Sequence, residues 1–79
     1  MRSVTNRIVM NRNILAGKPI ISGTRISVEF ILELLASGMS VSDIEKEYPH
    51  LMKEDILAAV AYAVRTLKRE DIVIPIIRE

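Results

Sequence analysis

Ser27-Val28-Glu29-Phe30-Ile31-Leu32-Glu33-Leu34-Leu35-Ala36-Ser37-Gly38-Met39-Ser40-Val41-Ser42-Asp43-Ile44-Glu45-Lys46-Glu47-Tyr48-Pro49 holds two helix starts and two helix stops in succession. Ser27 suits an N-cap, Glu29 follows in the first turn where the helix dipole favours a carboxylate, and Gly38 stands where a left-handed residue ends a helix. A first helix is therefore predicted over residues 28–37, with Val28, Ile31, Leu32 and Leu35 on one stripe and Glu29, Glu33 and Ser37 opposite. Ser40 caps a second, with Asp43 three residues on in the capping-box position and Val41, Ile44 and Tyr48 as its apolar edge. Pro49 stops it after about two turns.

Toward the C-terminus, Lys53 opens a third and longer helix. Glu54 and Asp55 suit its positive end, and Arg65, Lys68 and Arg69 suit its negative end, predicting residues 53–69. This helix is apolar on two sides. Ile56, Ala59, Val60, Ala63 and Leu67 form one stripe; Leu57, Ala61 and Val64 form a second. The first is expected to pack on the preceding helices, and Leu57, Ala61 and Val64 on a second copy of the chain. Beyond residue 70 the sequence turns β-prone, with Ile72, Val73, Ile74, Ile76 and Ile77 around Pro75. Proline is excluded from a central strand, so this tail suits an edge strand or a strand added to a partner.

Toward the N-terminus, Ile8-Val9-Met10 lies between polar residues and reads as a short strand, and Gly17-Lys18-Pro19 is turn chemistry before Ile20-Ile21. Residues 6–26 are predicted to form a β arm or hairpin whose register the sequence does not give. The expected architecture is mainly α: a three-helix bundle of helix-turn-helix layout in a single domain. It comprises a β arm (1–26), a helical core (27–69) and a tail (70–79).

Seventy-nine residues, 49% of them hydrophobic, suffice for one domain and no more. Cores of this size supply only ~3–5 kcal/mol, and small domains usually recruit disulfides, a metal or a partner. The chain has no cysteine and one histidine, His50, so neither disulfides nor a four-ligand zinc site is available. Ile, Val and Leu together number 26, more aliphatic surface than a small monomer readily hides, and a homodimer is expected. The longest apolar run, residues 56–64, is nine residues, well short of the ~20 that span a bilayer, and the Arg-bearing start does not read as a signal peptide. The expected location is the cytoplasm, with no membrane partner.

The net charge of +1 conceals blocks. Residues 1–28 hold Arg2, Arg7, Arg12, Lys18 and Arg25 without an acid, residues 29–55 carry a net −5, and the remainder returns to +1. The basic arm has two readings. Arg7, Arg12, Lys18 and Arg25 contact nucleic-acid phosphates, or they pair with the acidic middle of the same or a neighbouring chain. The helix-turn-helix layout would place the third helix in a DNA groove, but its start presents Glu54 and Asp55, which repel phosphates; the arm is the better reader of DNA. Gly17-Lys18-Pro19 is no phosphate loop, because the upstream glycine and the Ser or Thr after the lysine are missing. Gly23-Thr24-Arg25 turns the chain into the first helix, with Arg25 able to reach Glu29 or Glu33. His50 reads as a loop residue and Tyr48 and Tyr62 as core or interface residues; 4% aromatic content provides no stacking platform for single strands. No nucleophile, base and orienting acid are recognisable as a set, so an enzyme, a cofactor and a small-molecule substrate are not expected.

The run from Asn13 to Val28, with Gly17-Lys18-Pro19-Ile20-Ile21-Ser22-Gly23-Thr24-Arg25 at its centre, resembles the family called domain of unknown function 433. Gly38-Met39-Ser40, Tyr48-Pro49-His50-Leu51 and Glu54-Asp55-Ile56 continue the likeness, which extends over roughly residues 8–64. Met52 departs from it, standing where the pattern usually has a Thr or Ser N-cap, a side chain worth roughly 0.5–2 kcal/mol. The resemblance implies a homeodomain-like helical fold with an N-terminal β element. It also implies an antitoxin of a type II toxin-antitoxin pair, whose partner is a PIN-like ribonuclease toxin. The tail would then bind the toxin and the arm operator DNA. The alternative is a protein-interaction or assembly module of the same fold without DNA binding.

Overall fold

The computed structural model describes residues 7–69; the tail residues Ile72, Val73, Ile74, Ile76 and Ile77 lie outside them. In chain order the elements are β1 (Ile8–Met10), a 3-10 turn (Leu15–Gly17), β2 (Pro19–Ile21), α1 (Val28–Ala36), α2 (Val41–Glu47) and α3 (Lys53–Arg69). The three helices and the N-terminal hairpin are those expected, and α3 has the bounds that its charges indicate.

Each boundary has a local cause. Ser27 Oγ accepts from the Phe30 N–H at 2.9 Å and starts α1. At its end Gly38 takes φ +106°, its N–H donates to the Leu35 carbonyl and the Met39 N–H reaches the Leu34 carbonyl, the paired bonds of a Schellman cap. The first helix therefore closes one residue earlier than predicted, with Ser37 as its C-cap. At α2 the capping box is complete: Ser40 Oγ accepts from the Asp43 N–H and Asp43 Oδ2 accepts from the Ser40 N–H, both at 3.0 Å. Those bonds, the one from the Ser40 backbone first, hold the Asp43 carboxyl below its ordinary pKa.

The hairpin is antiparallel, with Ile8 opposite Ile21, Val9 opposite Ile20 and Met10 opposite Pro19. This register turns Ile8 and Ile21 onto the helices. Proline terminates the pairing at Met10, where it has no N–H to donate. The strands are joined by a left-handed turn in which Leu15, Ala16 and Gly17 take φ of +50°, +56° and +85°. Glycine tolerates that region, whereas each of the two L-residues gives up about 1–2 kcal/mol there.

Ile31, Ile44 and Ile56, one from each helix, are fully buried together with Ile21, Val28, Leu51 and Ala59. Aliphatic β-branched side chains fill this core, and the aromatic pair lies at its margin, where Phe30 and Tyr48 meet edge-to-face with centroids 5.7 Å apart. No helix among the described residues is long and apolar enough to cross a membrane.

Candidate partner-binding surfaces

The third helix is oriented by a residue near its start. Asp55 is buried, with Oδ2 accepting from the Met52 N–H at 2.9 Å and Oδ1 accepting from Arg7 Nη1 at 2.8 Å. The first bond supplies half of a capping box, so the helix starts at Lys53 although Met52 has no side-chain acceptor of its own. The second fastens the root of β1 to α3. Arg7, assigned to nucleic acid from the charge pattern, is thereby held by a carboxylate of the acidic middle.

With α3 fixed in this rotation, Asp55, Ile56, Ala58 and Ala59 face inward, and the small alanines allow α1 to approach. Leu57, Val60, Val64 and Leu67 face outward, exposed at 49%, 37%, 45% and 61%. Val60 and Leu67 thus belong to the outer stripe and not to the core stripe in which the sequence placed them, while Ala58 joins the inner one. Periodicity gives the angle between residues but not the rotation of the helix about its axis, and a helix that is apolar on both sides offers no contrast to set it. Leu57, Ala61 and Val64 remain together on the outer face, with Ala61 half-buried.

Beside that face lies an open apolar groove of about 400 Å³ between β2, α1 and the C-terminal half of α3. Pro19, Val28, Leu32, Tyr62 and Leu67 line it, with Glu29 at its rim. Glu29 is engaged by Lys18 at 3.0 Å, an exposed pair worth at most ~1 kcal/mol. Lys18, not Arg25, therefore reaches Glu29.

Of the four cations assigned to phosphate contact, two are thus matched with carboxylates of the same chain. Arg12 and Arg25 are exposed and form no ion pair among the described residues. Arg25 and Thr24 lie between two shallow concavities, one bordered by Asn11 and Ile14, the other by Ser22 and His50. Thr24 serves the turn itself: its hydroxyl donates to the Ile21 carbonyl and accepts from the Ile26 N–H. The uncovered aliphatic groove is the feature that sequence reasoning missed. Its walls come from three elements, and only the apolar Leu32 and Tyr62 hinted at it.

A family model described as a protein of unknown function, DUF433, matches residues 8–63. Among solved structures, the crystal structure of a DUF433 member protein from Anabaena variabilis ATCC 29413, at 2.00 Å resolution, is similar to this chain at 26% identity and a TM-score of 0.75. The alignment covers 84% of this chain and 65% of that one, so the chain spans somewhat less than two thirds of that relative. No curated protein matches the chain.

Proposed function

Because the chain belongs to the DUF433 family, we propose that it is a non-enzymatic antitoxin that self-associates and neutralises a PIN-like ribonuclease toxin by direct binding. One observation carries the proposal: beside its packed core the domain leaves aliphatic surface uncovered, both on the outer face of α3 and in the groove lined by Leu32, Tyr62 and Leu67. Contiguous exposed apolar surface on a small domain marks protein contact. The toxin is assigned to the groove and to the tail, because residue 70 follows in sequence only three positions after Leu67, which lines the groove. Aliphatic residues Ile72, Val73, Ile74, Ile76 and Ile77 suit strand addition to the toxin.

Removing residues 72–79 is expected to abolish toxin binding and inhibition while α1, α2 and α3 keep their circular dichroism. Undiminished inhibition of the ribonuclease by the truncated chain would take the tail out of the mechanism. An adjacent reading frame that encodes no PIN-like protein, or one whose product fails to co-purify with the full-length chain, would remove the antitoxin function itself.

Operator DNA, where it is bound, is assigned to Arg12 and Arg25, since Arg7 and Lys18 already have carboxylate partners. Replacing both with alanine should reduce the slope of log affinity against log salt by about 0.9 for each phosphate no longer neutralised. A slope left unchanged by the double substitution refutes that assignment. No gel shift by the unaltered chain favours the second reading, an interaction module of the same fold without a DNA role, which the two internal ion pairs support.

A further inference from the structure

The outer face of α3 is bounded in a way that fits a copy of itself running in the opposite direction. Glu54 lies at its N-terminal end and Lys68 at its C-terminal end, both exposed, with Leu57, Val60, Val64 and Leu67 between them. Read from either end, the stripe runs charge, leucine, valine, valine, leucine, charge, and the charge changes sign between the ends. We propose that two chains associate through this face as an antiparallel α3 pair about a two-fold axis near Tyr62. This specifies the geometry of the self-association included in the proposed antitoxin function and rests on that part of it.

In this arrangement Leu57 packs against Leu67 of the partner subunit and Val60 against Val64 of the partner subunit. These pairings follow from the spacing: 57 and 60 precede position 62 by as much as 67 and 64 follow it. Ala61 stands beside the axis, where a small side chain lets the helices approach. Glu54, eight positions before the axis, and Lys68 of the partner subunit, six positions after it, are offset by two residues, about 3 Å of helix rise, which the long lysine side chain spans. The opposed helix dipoles add to the attraction. A parallel pair would set Glu54 against Glu54 of the partner subunit and Lys68 against Lys68 of the partner subunit, repulsive at both ends. A two-fold axis makes the contact closed, limiting the assembly to two chains. A 17-residue helix is about 25 Å long, so the pair buries less than the ~800 Å² per partner of a standard interface. The dimer accordingly belongs to the weak class, with a Kd of order micromolar or above.

Sedimentation of the full chain across micromolar to millimolar concentration tests the association. A monomer–dimer equilibrium is expected, with Val64→Glu raising Kd by roughly 10-fold or more without changing the melting temperature of the monomer, because a carboxylate at that position is buried only in the pair. Glu54→Lys and Lys68→Glu should each weaken the dimer, and the combined variant should recover it. Direction is read by disulfide formation, free of interference because the chain has no cysteine. Leu57→Cys and Leu67→Cys should cross-link when mixed and not when alone, since identical positions lie about 15 Å apart along the antiparallel pair, beyond disulfide reach. Three results overturn the proposal: a monomer at all concentrations, a dimer indifferent to Val64→Glu, or Leu57→Cys cross-linking with itself as readily as with Leu67→Cys. Toxin inhibition by a strictly monomeric chain would leave the antitoxin function standing and remove only the pairing.

Discussion

Ile44→Ala is expected to lower the melting temperature by about 10 °C or more, leaving a substantial unfolded fraction at 37 °C. The side chain is fully buried, and the cost of a Leu or Ile truncation in a core is about 2–5 kcal/mol. Two circumstances make the effect large here. α2 has only seven residues and Ile44 is its one fully buried side chain, with the half-buried Val41 and the C-cap Tyr48 as its remaining apolar anchors to the core. In a domain of this size each kcal/mol moves the midpoint by about 4–8 °C, against a total stability of only a few kcal/mol. Thermal melts followed by circular dichroism provide the measure, with Val64→Ala as the control. It removes a comparable aliphatic group from a half-exposed position, and its monomer should melt within a few degrees of the parent. A fall for Ile44→Ala no larger than for this control would mean that α2 is held by its caps rather than by the core.

The second large effect belongs to Asp55→Ala. Two connections are removed at once: the bond that satisfies the Met52 N–H at the start of α3 and the ion pair to Arg7. The cap alone is worth roughly 0.5–2 kcal/mol and a partly exposed ion pair adds up to ~1 kcal/mol, so a destabilisation of about 1–3 kcal/mol is expected. Arg7→Ala should cost less, because the cap survives and the arginine side chain is about one third exposed (35%) in the folded chain. Denaturant titration of the two single variants and the double variant separates the terms. The double variant should be no less stable than Asp55→Ala by more than a few tenths of a kcal/mol, since the pair is already broken. Strict additivity would mean that the two side chains do not act together.

The helical part of the fold was legible because its boundaries are written in adjacent residues. Ser27, Ser40 and Asp43 act on N–H groups within three positions, and Gly38 acts through its own φ, so a linear reading captures them. The hairpin register was not, since pairing Ile8 with Ile21 depends on a left-handed turn at Leu15 and Ala16 that neither residue favours. Arg7 illustrates the same limit for the candidate site. Its charge was visible, but its carboxylate partner is 48 positions away, and block charges do not say which cation meets which acid. The rotation of α3 escaped for a related reason, because the burial of Ile56, Ala58 and Ala59 depends on packing against β1 and the two preceding helices, which the pattern of α3 alone does not name. Of the alternatives left open for the basic arm, pairing within the chain accounts for Arg7 and Lys18, while Arg12 and Arg25 remain exposed.

The Arg7–Asp55 pair also bears on how the chain reaches its folded state. Most of the architecture is assembled from neighbours: α1, α2 and α3 follow one another through short bends, and closing such loops is fast. Joining Arg7 to Asp55 closes a loop nearly five times longer than a ten-residue one, at an added entropic cost of about 1.4 kcal/mol. The rate-limiting barrier is therefore expected where the hairpin docks onto helices that are already in register. Substitutions in the strands should chiefly accelerate unfolding, and those between the helices should slow folding.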